Sequence, residues 1–302
     1  MQTKKTKSMI LKASLFFLTV TCALTYRAYL DDYDSDFDQF AANYDGYQPR
    51  IIGGTVQKKH TLPFMAFIVL RIDNETHTTT SNCSGTIISP EHVLTARHCF
   101  NFIYEGKPLN LSVALAIAEV RVGSQYKEDR HQQVFDISSY STLDEKIIYF
   151  DLIILKLQGT IKLDGKRTAA VTLKHKLLHE DQTYLVAGFG EHVINNGQKF
   201  VDEKSYVIGK VTIAKASRYC HPEQFEVCTF GPNQGTSDGD SGGPILEFKN
   251  NKYYQVGMIR GGSLIFNKAN TTILHDYGKN LIISPFCAFI EGSTGNKVKC
   301  LK

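Results

Sequence analysis

The chain has 302 residues, 42% hydrophobic and 21% charged, with a formal charge of +4. That balance suits a globular protein with a sizeable core, and the length does not force two separate domains, since all-β units often run to roughly 200–250 residues. The modest charge says little about partners; no basic run interleaved with aromatics suggests a nucleic-acid surface, and no nucleic-acid partner is expected.

At the start of the chain Lys4, Lys5, Lys7 and Lys12 precede an apolar stretch from Ala13 to Leu24. The stretch fits a signal-peptide core and falls short of the roughly 20 apolar residues that a spanning helix needs. Thr21-Cys22-Ala23 offers small residues for signal peptidase, so residues 1–23 read as a leader cleaved after Ala23. An uncleaved anchor is the alternative, disfavoured because Lys12 shortens the apolar run. The mature protein is therefore expected outside the cell, with no membrane attachment once the leader is gone. Residues 24–50 carry Asp31, Asp32, Asp34, Asp36, Asp38 and Asp45 among Tyr and Phe, without periodicity. Like charges and no aliphatic core mark this as an acidic pro-segment. It ends at Pro49-Arg50, before Ile51-Ile52-Gly53-Gly54, a natural cut site for a trypsin-like protease.

From residue 51 onward short runs rich in β-branched and aromatic residues predict strands at 64–70, 86–89, 119–122, 152–157, 184–187, 207–213, 253–259 and 280–283. Short helices are expected near 96–100 and 285–291. Long amphipathic repeats are absent, so an antiparallel β barrel or sandwich is favoured. In an oxidising compartment the cysteines after the leader (Cys83, Cys99, Cys220, Cys228, Cys287 and Cys300) predict disulfides. Many connectivities are open; the simplest joins neighbours, Cys83–Cys99, Cys220–Cys228 and Cys287–Cys300. No Cys/His spacing resembles a zinc site, and no metal or cofactor is expected. Asn74, Asn110 and Asn270 are candidate glycosylation sites; Asn82 also sits in a sequon but abuts a cysteine.

Chemistry concentrates in a few segments. In Gly239-Asp240-Ser241-Gly242-Gly243-Pro244 small residues let the Ser241 hydroxyl stand clear of the backbone. The amides of Gly239 and Ser241 can then form an oxyanion hole, where losing one donor costs about 10²–10³ in rate. Leu94-Thr95-Ala96-Arg97-His98-Cys99 supplies a base, His98, beside a cysteine. Phe150-Asp151-Leu152-Ile153-Ile154-Leu155 sets one carboxylate at the head of an apolar run, where it needs a hydrogen-bond donor. The His98 imidazole meets that need and leaves its other nitrogen for the Ser241 proton.

On these motifs, with the Ile51-Ile52-Gly53-Gly54 start, residues 51–302 resemble the chymotrypsin-like (trypsin-family) serine peptidases. The resemblance implies an all-β fold of two six-stranded antiparallel barrels with short helices, divided near residues 165 and 166. It implies a triad of His98, Asp151 and Ser241 in the cleft between them. It also implies activation by cutting between Arg50 and Ile51, after which the Ile51 ammonium pairs with Asp240. Protein or peptide substrates, an activating trypsin-like protease and protein protease inhibitors are the implied partners.

Departures from the family limit the reading. Gly235 stands where trypsins carry the pocket Asp, which predicts a preference for uncharged side chains before the scissile bond. Asp238 would sit at the pocket rim. Arg260-Gly261-Gly262 replaces the usual Ser-Trp-Gly, which widens the cleft. Two positions for Arg260 stay open: paired with Asp151, or turned elsewhere by a shift in register. Ser124 stands near a Glu of calcium-binding members, so no calcium is expected. The Cys287–Cys300 tail looks like a divergent, nematode-type branch. A non-catalytic homologue acting as a secreted binding or decoy module is the alternative function. An α/β-hydrolase is excluded because its Asp and His must follow the Ser, and a His175/His179 zinc site because Lys176 replaces the required Glu.

Overall fold

The computed structural model describes residues 55–302 apart from 58, 74–77, 144–149, 195–198, 203, 218–219, 233–234 and 267–272. The predicted leader and pro-segment, the Arg50–Ile51 junction, and Asn74 and Asn270 lie outside the described residues.

The first half of the chain runs β1 (Thr55–Val56), β2 (Met65–Asp73), β3 (Thr78–Ser89) and β4 (His92–Thr95). A 3₁₀ turn at Arg97–Phe100, a small hairpin of β5 (Ile103–Tyr104) and β6 (Lys107–Pro108), and helix α1 (Leu111–Ala116) follow. Then come β7 (Ala118–Val122), β8 (Gln133–Thr142) and β9 (Ile153–Leu157). Strands β2-β3-β4-β9-β8-β7 form a closed barrel, with β7 pairing back onto β2. Closure leaves no free sheet edge.

The second half holds β10 (Thr172–Leu173), β11 (Thr183–Gly188), the hairpin β12 (Glu191–Ile194) and β13 (Lys199–Asp202), and β14 (Val207–Ala214). It continues with β15 (Glu226–Pro232), β16 (Pro244–Lys249), β17 (Lys252–Phe266) and β18 (Ile273–Ile282). A 3₁₀ turn at Ser284–Phe286 leads into α2 (Cys287–Ser293). Here the order is β14-β11-β16-β17-β18-β15, and β15 returns to β14 with Phe230 opposite Thr212. The fold is thus all-β, two six-stranded antiparallel barrels with short helices, as the resemblance implied.

Alternation drives the inward faces. Ala118, Val120 and Val122 of β7 are buried, as are Val207, Val211 and Ile213 of β14. One hydrophobic cluster runs across both barrels, from Leu62, Met65 and Leu94 to Phe189, Met258 and Leu281. A second, with Val186, Val211, Ile245 and Ile259, fills the far barrel. Disulfides join Cys83–Cys99, Cys220–Cys228 and Cys287–Cys300, the nearest-neighbour set.

Many elements escaped the sequence reading, among them β4, β15 and β16 as well as the short β1, β5, β6, β10, β12 and β13; two show why. Strand β8 sets part-buried Phe135 and Ile137 between exposed Val134, Asp136 and Ser138, but its second half is polar, with Ser139, Ser141 and Thr142, so the apolar alternation is short. Helix α1 is short and owes its start to Asn110, whose Oδ1 accepts the Val113 N–H at 2.9 Å. That cap engages the oxygen of exposed Asn110, not the nitrogen to which a glycan attaches.

Candidate active site

Strand β4 pairs with β9, with Thr95 opposite Ile153. That register brings the turn after β4, which holds His98, beside the residues just ahead of β9. Asp151 is buried there, and His98 uses both of its oxygens. Oδ1 accepts the His98 backbone N–H at 2.8 Å and Oδ2 faces ring Nδ1 at 2.6 Å. In a neutral ring this bond places the proton on Nδ1 and the lone pair on Nε2. The Cys83–Cys99 disulfide ties the turn to β3, where Asn82 puts its Nδ2 close to the Gly239 backbone.

Ser241 lies in the turn before β16. Its carbonyl accepts the Ser84 N–H at 2.9 Å. The next residue, Gly242, has φ +83°, and a Cβ there would overlap Thr95 Oγ1 and the Ser84 carbonyl. Only glycine permits that approach, which sets Ser241 beside the segment leading to His98. The Ser241 Oγ donates to the Arg260 carbonyl at 3.4 Å, a long bond for a hydroxyl. Among the described residues no hydrogen bond joins Ser241 Oγ to the His98 ring.

Three consecutive amides after β11 form a wall behind this loop. Phe189 N–H donates to Ser84 Oγ, Gly190 N–H to Asp240 Oδ1 and Glu191 N–H to the Asp238 carbonyl, each at 2.8 Å. The peptide bonds are trans. With the Asp238 carbonyl turned toward Glu191, the Gly239 N–H of the same plane points the opposite way. The Asp240 carbonyl is likewise held, by Gly243 N–H at 2.9 Å, which orients the Ser241 N–H.

The family model for trypsin matches residues 51–274. The chain belongs to the trypsin family. Granzyme F of Mus musculus is 29% identical over 218 residues, which cover 68% of this chain and 79% of the granzyme. Chymotrypsin-C of Bos taurus is 26% identical over 221 residues, covering 71% and 79%. Mast cell protease 8 of Mus musculus is 24% identical over 202 residues, covering 65% and 75%.

In this trypsin-family chain Arg260 stands next to the buried carboxylate of Asp151. The two positions left open by the sequence resolve to pairing: Arg260 Nε lies 3.3 Å from Asp151 Oδ2, even though the β17–β18 register shifts between Met258 and Gly261. Its Nη1 also pairs with Glu226 Oε1, and Lys279 Nζ lies 3.2 Å from Glu226 Oε2. The Arg260 N–H donates to Asn280 Oδ1 at 3.0 Å, which fixes its backbone. Glu226 has a fully buried side chain, so its charge is tolerable only while paired. Arg260→Ala is expected to destabilise the fold by about 1–3 kcal/mol in denaturant unfolding, less than for a fully orphaned charge because Lys279 still pairs with Glu226. Arg260→Met with Glu226→Gln, which removes both charges, is expected to recover most of that loss.

A cavity of about 720 Å³ opens at the site, lined by His98, Asp151, Arg260, Gly261 and Gly262, with His221 and Glu223 beyond. A Cβ at Gly261 would meet nothing within 4 Å, so the cleft is open there. Of the other predicted substrate-binding residues, Gly235 is buried and Asp238 exposed. Asp240 is buried, and its Oδ2 accepts the Ser237 N–H at 2.9 Å. Burial pushes its carboxyl up to about 7, against the backbone bonds from Ser237 and Gly190 that pull it down.

Sequence reasoning missed Ser84, Glu226 and the wall at 189–191. Glu226 left one signal, an acid beside Val227 and Cys228 in a buried strand. Ser84 left none beyond its neighbour Cys83.

Proposed function

We propose that the protein is a secreted serine endopeptidase, made as a precursor and switched on by cleavage between Arg50 and Ile51. Ser241 Oγ attacks the peptide carbonyl while His98 Nε2 takes its proton. The amides of Gly239 and Ser241 hold the oxyanion. The tetrahedral species expels the amine, protonated by His98, and leaves an acyl-Ser241 ester that water hydrolyses. Asp151 keeps the ring in register and stabilises the imidazolium. The observation that carries the reading is the two-point hold of Asp151 on His98, in a chain of the trypsin family.

Asp240 supports the activation step. A carboxyl this deeply buried favours either a proton or a neighbouring cation, and the Ile51 ammonium freed by cutting after Arg50 supplies the cation. The linkage is testable. In the uncut protein a folded-state value near 7, raised above the unfolded one near 3.8, gives stability that is full below about pH 4 and lost as pH rises through about 7. Thermal unfolding from pH 4 to 8 is expected to show this fall in the precursor. In Asp240→Asn, and in the cut protein, it should shrink. An activating trypsin-like protease and protein protease inhibitors are the partners this reading implies. The leader, the disulfides and exposed Asn110 as a glycan site fit an extracellular location.

A fluorophosphonate probe tests the whole reading. Labelling of Ser241 only after the cut at Arg50 is the expected result. The second reading, an inactive homologue serving as a secreted binding module, draws on the Ser241 hydroxyl bonded to the Arg260 carbonyl and on Arg260 beside Asp151. Cleaved, folded protein that stays unlabelled establishes that reading instead.

A further inference from the structure

Ser84 is fully buried in β3, and each of its polar atoms is engaged around Ser241. Its N–H donates to the Ser241 carbonyl, and its own carbonyl accepts from Thr95 Oγ1 at 2.7 Å. Those two bonds use the backbone and would survive most substitutions. The hydroxyl does something no backbone group can. It donates to the Gly239 carbonyl at 2.8 Å while accepting the Phe189 N–H at 2.8 Å. A serine hydroxyl is a donor and an acceptor on one atom.

We propose that the Ser84 hydroxyl is a positioning residue for the oxyanion hole, a clamp that fixes the Gly239–Asp240 peptide between the two peptides whose N–H groups face the oxyanion. The inference rests on the endopeptidase reading. Gly239 stands at φ +95° with no side chain to resist rotation. Its carbonyl is held by Ser84 Oγ, while the Asp240 N–H of the same plane reaches the Ser237 carbonyl at 3.0 Å. Take the hydroxyl away, and the Gly239 carbonyl and the Phe189 N–H are left buried without a partner. The loop then gains by turning to satisfy them, and the Gly239 N–H turns with it. An oxyanion donor acts on charge that develops only in the transition state, so the loss falls on kcat and not on substrate binding.

The test compares wild type, Ser84→Ala and Ser84→Thr, all cut after Arg50 and corrected for folded fraction by circular dichroism. Each is measured for kcat and KM on a peptide substrate. Each is also measured for affinity toward a peptide aldehyde, which forms a tetrahedral adduct, and toward the matching product acid, which does not. In Ser84→Ala, kcat and aldehyde affinity are expected to fall about 10- to 100-fold. KM and product affinity should stay within about threefold, and Ser84→Thr, which keeps the hydroxyl, should restore kcat. Unchanged kcat in folded Ser84→Ala overturns the inference. So does an equal loss of aldehyde and product affinity, the pattern of a merely structural residue. A wild type that hydrolyses no peptide overturns the endopeptidase reading itself, and the clamp with it.

Discussion

Ser241→Ala, in protein cut after Arg50, is expected to lower peptide hydrolysis by about 10⁶-fold. The nucleophile is gone, so no acyl intermediate forms, and only binding and the amides of the turn remain to favour the transition state. Mass spectrometry of the wild type mixed with an activated ester should show the acyl adduct, and the variant should show none. Stability should barely move, because among the described residues the hydroxyl makes a single long bond, to the Arg260 carbonyl. This separates the outcome from misfolding. Residual turnover above about one part in a hundred, at an unchanged unfolding temperature, would mean that another group does the attacking.

Asp151→Asn is expected to cut kcat by about 10⁴-fold with KM little changed. The carboxylate accepts from His98 at both backbone and ring, and an amide can accept at only one of its two positions. If its nitrogen faces Nδ1, the ring must adopt the other tautomer, and Nε2 then carries a hydrogen where it should offer a lone pair. The variant also strips Arg260 of a carboxylate partner, so some stability goes with the activity. Steady-state kinetics and a melting curve on the same sample resolve the two effects. A fall in kcat of less than about tenfold would show that the hold on His98 is structural only.

The barrels were legible in the sequence where an apolar, β-branched run meets the core, as at 119–122 and 207–213, but β4, β15 and β16 also bury core residues and went unread. The barrel was also missed at β8, where only Phe135 and Ile137 alternate toward the core before the strand turns polar. The site divides in a similar way. His98, Asp151 and Ser241 announce themselves through unusual neighbours: a cysteine, an apolar run, a cluster of glycines. Arg260 stood out only as a departure, and nothing local said that a strand about 34 positions away would bring Glu226 to meet it. Ser84 is an ordinary serine whose partners lie 155 and 105 residues distant. Long-range hydrogen bonds leave no periodicity behind them, so folding alone reveals them.

The three adjacent amides at 189–191 have a practical consequence. Each proton is committed to a different partner, on Ser84, Asp240 and Asp238 in turn. Deuterium uptake at these positions therefore works as a gauge of the nucleophile turn, read residue by residue without substrate or inhibitor. Slow uptake at all three marks a turn locked in shape, and fast uptake at one names the tether that has let go.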